Sequence, residues 1–230
     1  MNKKIIIAIL AVFVLCLTLF AACKDQTNPA ESEYYTVEDF LNLDNFTLVN
    51  STEKNTVCKY EVKDGRILFE SKSTTEELGE NTVYYVFGAS ESKAYIGSKW
   101  QSVGTDDVDD YLSAIADRTG LVYNKLQSTY FERTKDRVYT IQNGHFFKEL
   151  FRQKYEKFFG KDYEESDFMI EYEKQKEDLF GNIDAYTVKL DCSEKGKMTL
   201  SVEKPTDDGR EYTAYTYSDI DKTQITLPEE

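Results

Sequence analysis

The 230-residue chain sets 42 acidic residues against 28 basic ones, for a formal charge of −14, and holds a single histidine. Such a surface repels the phosphates of nucleic acid and offers no polybasic patch for anionic lipid headgroups, so both are excluded as electrostatic partners. One histidine cannot furnish both a His-based catalytic triad and a metal site.

The first element in chain order is a secretion address. Lys3 and Lys4 precede an uncharged, apolar run over residues 5–20 whose one polar member is Thr18, and the run closes in Ala21-Ala22-Cys23. A basic start keeps its own end in the cytoplasm while the apolar run enters the membrane, and small residues let a peptidase reach the backbone. The segment resembles the bacterial lipoprotein signal peptide, whose lipobox places small residues before a cysteine that receives a diacylglyceryl group. Phe20 stands three residues before Cys23, where that family prefers Leu, and Leu19 stands four before it. The other reading is an uncleaved membrane helix, because the run approaches the roughly 18–20 residues that span a bilayer. Both leave the remaining chain outside the cytoplasm. The resemblance implies a lipid on Cys23 and a protein held on the extracytoplasmic face of the cell membrane, since two acyl chains at about 0.8 kcal/mol per buried methylene anchor stably.

Three segments follow from this: a signal peptide over 1–22, a lipidated cysteine with a polar tether over 23–34, and a single domain over 35–230. Loss of residues 1–22 leaves 208 residues and takes the charge from −14 to −16, because the lost part holds two lysines and no acid. That length suffices for one domain with its own core. Of four cysteines, Cys16 leaves with the signal and Cys23 is the lipid site, so Cys58 and Cys192 remain, either as buried thiols or as one long-range disulfide.

Within the domain, Thr36 followed by Asp39, with Val37, Phe40 and Leu41 as an apolar stripe, predicts a short capped helix. Cys58, Tyr60 and Val62 alternate with charged neighbours up to Asp64-Gly65, and alternation resumes through Ile67 and Phe69, the pattern of a tight hairpin. Counting outward from that turn, Val62 faces Ile67 and Tyr60 faces Phe69 on one side of a sheet. A second hairpin is expected between residues 83–87 and 94–100. Val108, Tyr111, Leu112 and Ile115 then fall on one helical face, capped by Thr105 or Asp106 and stopped at Gly120. Residues 122–127 and 128–142 are expected as strands with a turn near 134–137. Phe147, Leu150, Phe151, Tyr155 and Phe158 mark a second helix ending at Gly160, and strands return over 186–192, 198–204 and beyond Gly209. Eight to ten strands and two or three helices predict an α+β fold, a curved antiparallel sheet (an open half-barrel) over a small helical layer.

The chemical inventory is thin. His145 sits beside Gly144 and Phe146 at a helix start, and no nucleophile elbow, phosphate loop or zinc-protease motif is placed where a strand-to-helix turn would hold it. Residues 106–110 and 162–167 are rich in acids yet lack the alternate spacing and glycine of a calcium loop. The expectation is a non-enzyme with no cofactor and no metal. Tyr 17, Phe 14 and Trp 1 make 14% of the chain, a content suited to strands and to lining a groove for a lipid or a partner.

The strand meander, the helix near Val108 and the ending Tyr215-Thr216-Tyr217-Ser218-Asp219, running on to Ile225 and Pro228, resemble the LolA-like superfamily of bacterial lipid and lipoprotein carriers, including lipoproteins of LprG and LppX type. That resemblance implies a half-barrel enclosing an apolar cavity, with Tyr60, Val62, Ile67, Phe69, Tyr85 and Phe87 as its candidate lining and a lipid as its ligand. The alternative is a structural or interaction lipoprotein of the envelope with a packed core and a protein partner.

Overall fold

A computed structural model describes residues 33–229 except 54, 76–78 and 207–208. The signal segment and Cys23, and Asp208, which with Gly209 is expected to turn the chain between the last two strands, therefore lie outside the described residues. The compact body spans Tyr35–Glu230. Among the described residues it is α+β, with eleven strands in one antiparallel, unclosed sheet and four α-helices.

Helix α1 (Val37–Leu41) starts as the sequence predicts, in a capping box: Thr36 Oγ1 accepts from the Asp39 amide and the Asp39 carboxylate accepts from the Thr36 amide. Strands β1 (Asn45–Asn50), β2 (Thr56–Lys63), β3 (Arg66–Thr75), β4 (Gly79–Phe87), β5 (Ser92–Ile96) and β6 (Lys99–Ser102) form a meander. Asp64 and Gly65, at φ of 52° and 72°, make the β2–β3 turn, because a two-residue hairpin of matching twist needs positive φ at both central positions. The expected register follows, with Val62 opposite Ile67 and Tyr60 opposite Phe69. The strand expected over 94–100 is instead two strands, folded back at Gly97 and Ser98 with φ of 59° and 65°.

Helix α2 (Thr105–Thr119) ends at Gly120 in the left-handed region, as expected, but its N-cap is Gly104 and neither Thr105 nor Asp106 caps it. Those two residues fall inside the first turn, where acids complement the helix dipole. Residues 122–127 are not a strand. Leu121–Lys125 and Ser128–Tyr130 are 3-10 turns, and Leu121, Asn124 and Leu126 are buried within the helical layer rather than alternating on a sheet. Strands β7 (Phe131–Lys135) and β8 (Val138–Ile141) precede α3 (Asn143–Phe159) and α4 (Glu165–Phe180). The last strands are β9 (Thr187–Asp191), β10 (Lys197–Thr206) and β11 (Gly209–Ser218).

The sheet order is β6-β5-β4-β3-β2-β1-β11-β10-β9-β8-β7, two meanders joined where β1 pairs with β11, leaving β6 and β7 as edges. Alternation assigns the faces. Phe46, Leu48, Cys58, Phe69, Val188, Leu190, Met198, Leu200 and Tyr217 all point to the concave side, where they form one core with Phe40, Ile115, Leu121 and Phe146 of the helical layer. A second, smaller cluster of Phe151, Phe168 and Tyr172 lies between α3 and α4. After Ser218 the chain loses regular structure and turns onto the outer face, where Thr223 exchanges hydrogen bonds with Asn45 and the Ile225 amide donates to Glu61. No helix among the described residues is long and apolar enough to cross a membrane.

Candidate functional site

Tyr60, Val62, Ile67, Phe69, Tyr85 and Phe87 share the concave face, brought together by the registers of β2, β3 and β4. Their surroundings are mostly filled. Tyr60 stacks on Phe46 at 5.3 Å between ring centres, Tyr85 on Phe87 at 6.0 Å, and Tyr111 of α2 lies against Tyr85 at 5.3 Å and Phe87 at 6.4 Å. Phe69 and Phe87 are 1% and 4% exposed; Tyr60, Ile67 and Tyr85 are half-buried, and Val62, at the rim, is 43% exposed. Burial pushes the hydroxyls of Tyr60 and Tyr85 above the usual tyrosine range, with Asp44 and Tyr111 adding to the respective shifts.

The four described depressions lie elsewhere, and none is lined by any of these six residues. Three sit on the outer face of the first meander. Its strands alternate, so Lys59, Glu70, Tyr84, Tyr95 and Trp100 form one cross-strand row on that face, and Glu61, Leu68, Val86, Lys93 and Ser102 the next. Lys59 pairs with Glu70 at 3.2 Å, Tyr84 meets Tyr95 at 6.0 Å, and Tyr95 meets Trp100 edge to face at 5.3 Å. The Lys93 ammonium lies 4.6 Å from the centre of the Trp100 ring, within range of its negative face.

The largest of these four depressions, about 700 Å³, opens along β5 and β6 and is lined by Glu91, Lys93, Tyr95, Lys99, Trp100 and Glu229 among others. Glu229 belongs to the terminal segment. From Ile225 at Glu61 on β2 to Glu229 beside Lys93 on β5 is three strand spacings, about 14 Å, and four extended residues cover about 13–14 Å. The terminal segment thus crosses the outer face as a strap and forms one wall of the cleft. A neighbouring depression of about 410 Å³, lined by Arg66, Ser90, Glu91 and Lys93 among others, adjoins it. This cleft was missed by the sequence reading. Its trace was there, in the lone tryptophan at an outward position of an alternating strand, but outward positions read as solvent.

His145 is exposed and stacks on Tyr130 at 4.6 Å. Residues 106–110 occupy the first turns of α2, and no group of three or more His, Cys, Asp or Glu among the described residues is placed to hold a metal ion. Cys58 and Cys192 are buried free thiols. Four strand spacings of about 4.8 Å separate their strands, whereas a disulfide needs Cα atoms within about 7 Å. Burial, with the Asp191 charge second, pushes the Cys192 thiol up to about 12.

No protein-family model, curated protein or solved structure matches the chain.

Proposed function

We propose that the chain is a non-catalytic lipoprotein, exported and held on the extracytoplasmic face of the membrane by lipid on Cys23, and that it works as an interaction protein of the envelope through its outer surface. The export reading is supported by Lys3 and Lys4, the apolar run over 5–20 and Ala21-Ala22-Cys23. The observation that carries the mode of action is the concave face: the aromatic side chains suited to lining a lipid cavity are stacked on one another and on Tyr111, while three of the four described depressions lie on the other side of the sheet. Packing of this kind leaves an acyl chain no room without displacing α2. The lipid-carrier reading draws support from one feature, the rim of half-buried Tyr60 and Ile67 beside exposed Val62.

Intact-mass and native mass spectrometry of the protein extracted from membranes test both parts. The expected result is a chain beginning at Cys23, carrying a diacylglyceryl group there, with no further lipid held by the domain. A stoichiometric, detergent-resistant lipid returns the function to a carrier. A wild-type protein that retains residues 1–22 and bears no lipid removes the lipoprotein assignment and puts a simple signal anchor in its place.

A further inference from the structure

We infer that the cleft between β5, β6 and the terminal strap is a saccharide-binding site, taking a short neutral oligosaccharide. The argument begins with what lines it. A pyranose presents two kinds of surface, a patch of C–H groups and a rim of hydroxyls that both donate and accept. A site for it needs an aromatic ring to meet the first and a mixture of charged and amide groups to meet the second. The cleft supplies both. Trp100 and Tyr95 stand edge to face at 5.3 Å along one side. Lys93 and Ser102, paired on the outer face, offer donors, and Glu91 and Glu229 offer acceptors.

The charges decide the class. The lining holds two lysines and two glutamates, so its formal charge is zero within a chain of charge −14 and the cleft gathers no net field for a polyanion, while a wholly apolar ligand would strip water from charged groups without replacing it. Its size, about 700 Å³, lies in the range of ligand sites, and its open form suits a chain that enters and leaves along its length. Trp100 adds an independent observation. Its indole N–H is buried and meets no acceptor among the described residues, an unfavourable state for a polar group, and the flexible Lys93 side chain covers the ring face on which a pyranose would stack, so it moves aside on binding.

Trp100 is the chain's sole tryptophan, which makes its fluorescence a report from this site alone. The full chain in detergent is titrated with chitotetraose and cellotetraose. The inference expects a saturable change in Trp100 emission with at least one of them, with Kd at or below about 1 mM. Tyr95→Ser and Glu229→Ala should each weaken binding about tenfold. Tyr212→Ser, at an outer-face tyrosine 58% exposed and outside the cleft, should leave it unchanged. Glu229→Ala alters only the surface strap, so it keeps the test valid if Tyr95→Ser fails to fold. Absence of any response to either saccharide at millimolar concentration overturns the inference, as does equal weakening by Tyr212→Ser. A response to an extended peptide but to neither saccharide assigns the cleft to strand addition at β6 and overturns it too. The titration reads binding whether or not Cys23 carries lipid, so its failure is distinct from failure of the lipoprotein reading.

Discussion

Gly120 shows how much a single residue holds. At φ of 72° it ends α2 where a side chain would be strained, and a Cβ there would lie 2.8 Å from the Tyr217 hydroxyl and 3.0 Å from the Tyr215 ring. The crowding has a purpose. Tyr217 Oη donates to the Thr119 carbonyl at 2.8 Å, Asn50 Nδ2 donates to the Arg118 carbonyl at 3.1 Å, and Arg118 forks onto Glu53, so side chains of the sheet and its loops satisfy the last carbonyls of the helix. Gly120→Ala should cost about 2–4 kcal/mol through strain and overpacking, and Tyr217→Phe about 1–3 kcal/mol because it leaves a buried carbonyl unpaired. Urea unfolding measures both; a Gly120→Ala variant as stable as wild type would refute the close approach. Gly120 as a helix stop was legible, since glycine after an apolar helical stripe is a local signal. Its partners were not, because Asn50 and Tyr217 lie 70 and 97 positions away in sequence and only the sheet brings them to the same helix end.

The helical hairpin of α3 and α4 is an element with its own interior. Phe151, Phe168 and Tyr172 are buried there, apart from the main core, and Arg152 ties the pair by reaching Glu165 at 2.8 Å with its guanidinium 4.1 Å from the Phe168 ring centre. Phe168→Ala should therefore cost about 3–5 kcal/mol and spend most of it locally: amide exchange should quicken throughout α4 while β1, β10 and β11 stay protected. Ile170→Lys, at a side chain 66% exposed, should change stability by less than about 0.5 kcal/mol. Uniform loss of protection across the sheet in Phe168→Ala would mean one cooperative core. Helix α4 escaped the sequence reading for a related reason. Its apolar stripe is thin, with Phe168 and Tyr172 the buried positions among sixteen residues, because it packs against one partner helix and not a sheet. The acids at its start drew attention as a cluster, yet Glu165 and Asp167 are first-turn residues of a helix closed by Gly181.

At the scale of the molecule, burial sets the pH range over which the fold is stable. Tyr217, Tyr123 and Cys192 are acids that the core holds in the neutral form, all with proton affinities raised chiefly by burial, Cys192 to about 12. The unfolded chain gives up these protons near the ordinary values of 9.0 for the thiol and 10.0 for the phenols. Above those values the native state binds more protons than the unfolded state, so stability falls with rising pH; below them the contribution is complete. The melting temperature should be level from pH 7 to about 9 and decline steadily toward pH 12. A level curve through pH 11 would contradict the burial of these groups.

Local chemistry written in the sequence determined the α+β class, the antiparallel meanders, the Asp64-Gly65 turn with its register, the Thr36 capping box and the stops at Gly120 and Gly160. Each depends on residues within a few positions of one another, where propensity, alternation and backbone sterics act directly. Tertiary structure alone decided three things. It joined β1 to β11, turned residues 121–130 into 3-10 segments beneath the helical layer, and carried the terminal segment past β11 across the outer face to Lys93 and Trp100. In these cases a segment's conformation is chosen by the surface it meets, and that surface exists only once strands distant in sequence have paired. The six aromatic and aliphatic side chains that alternation placed on one face are on that face, but whether such a face lines a cavity or fills a core depends on Tyr111 arriving from another element.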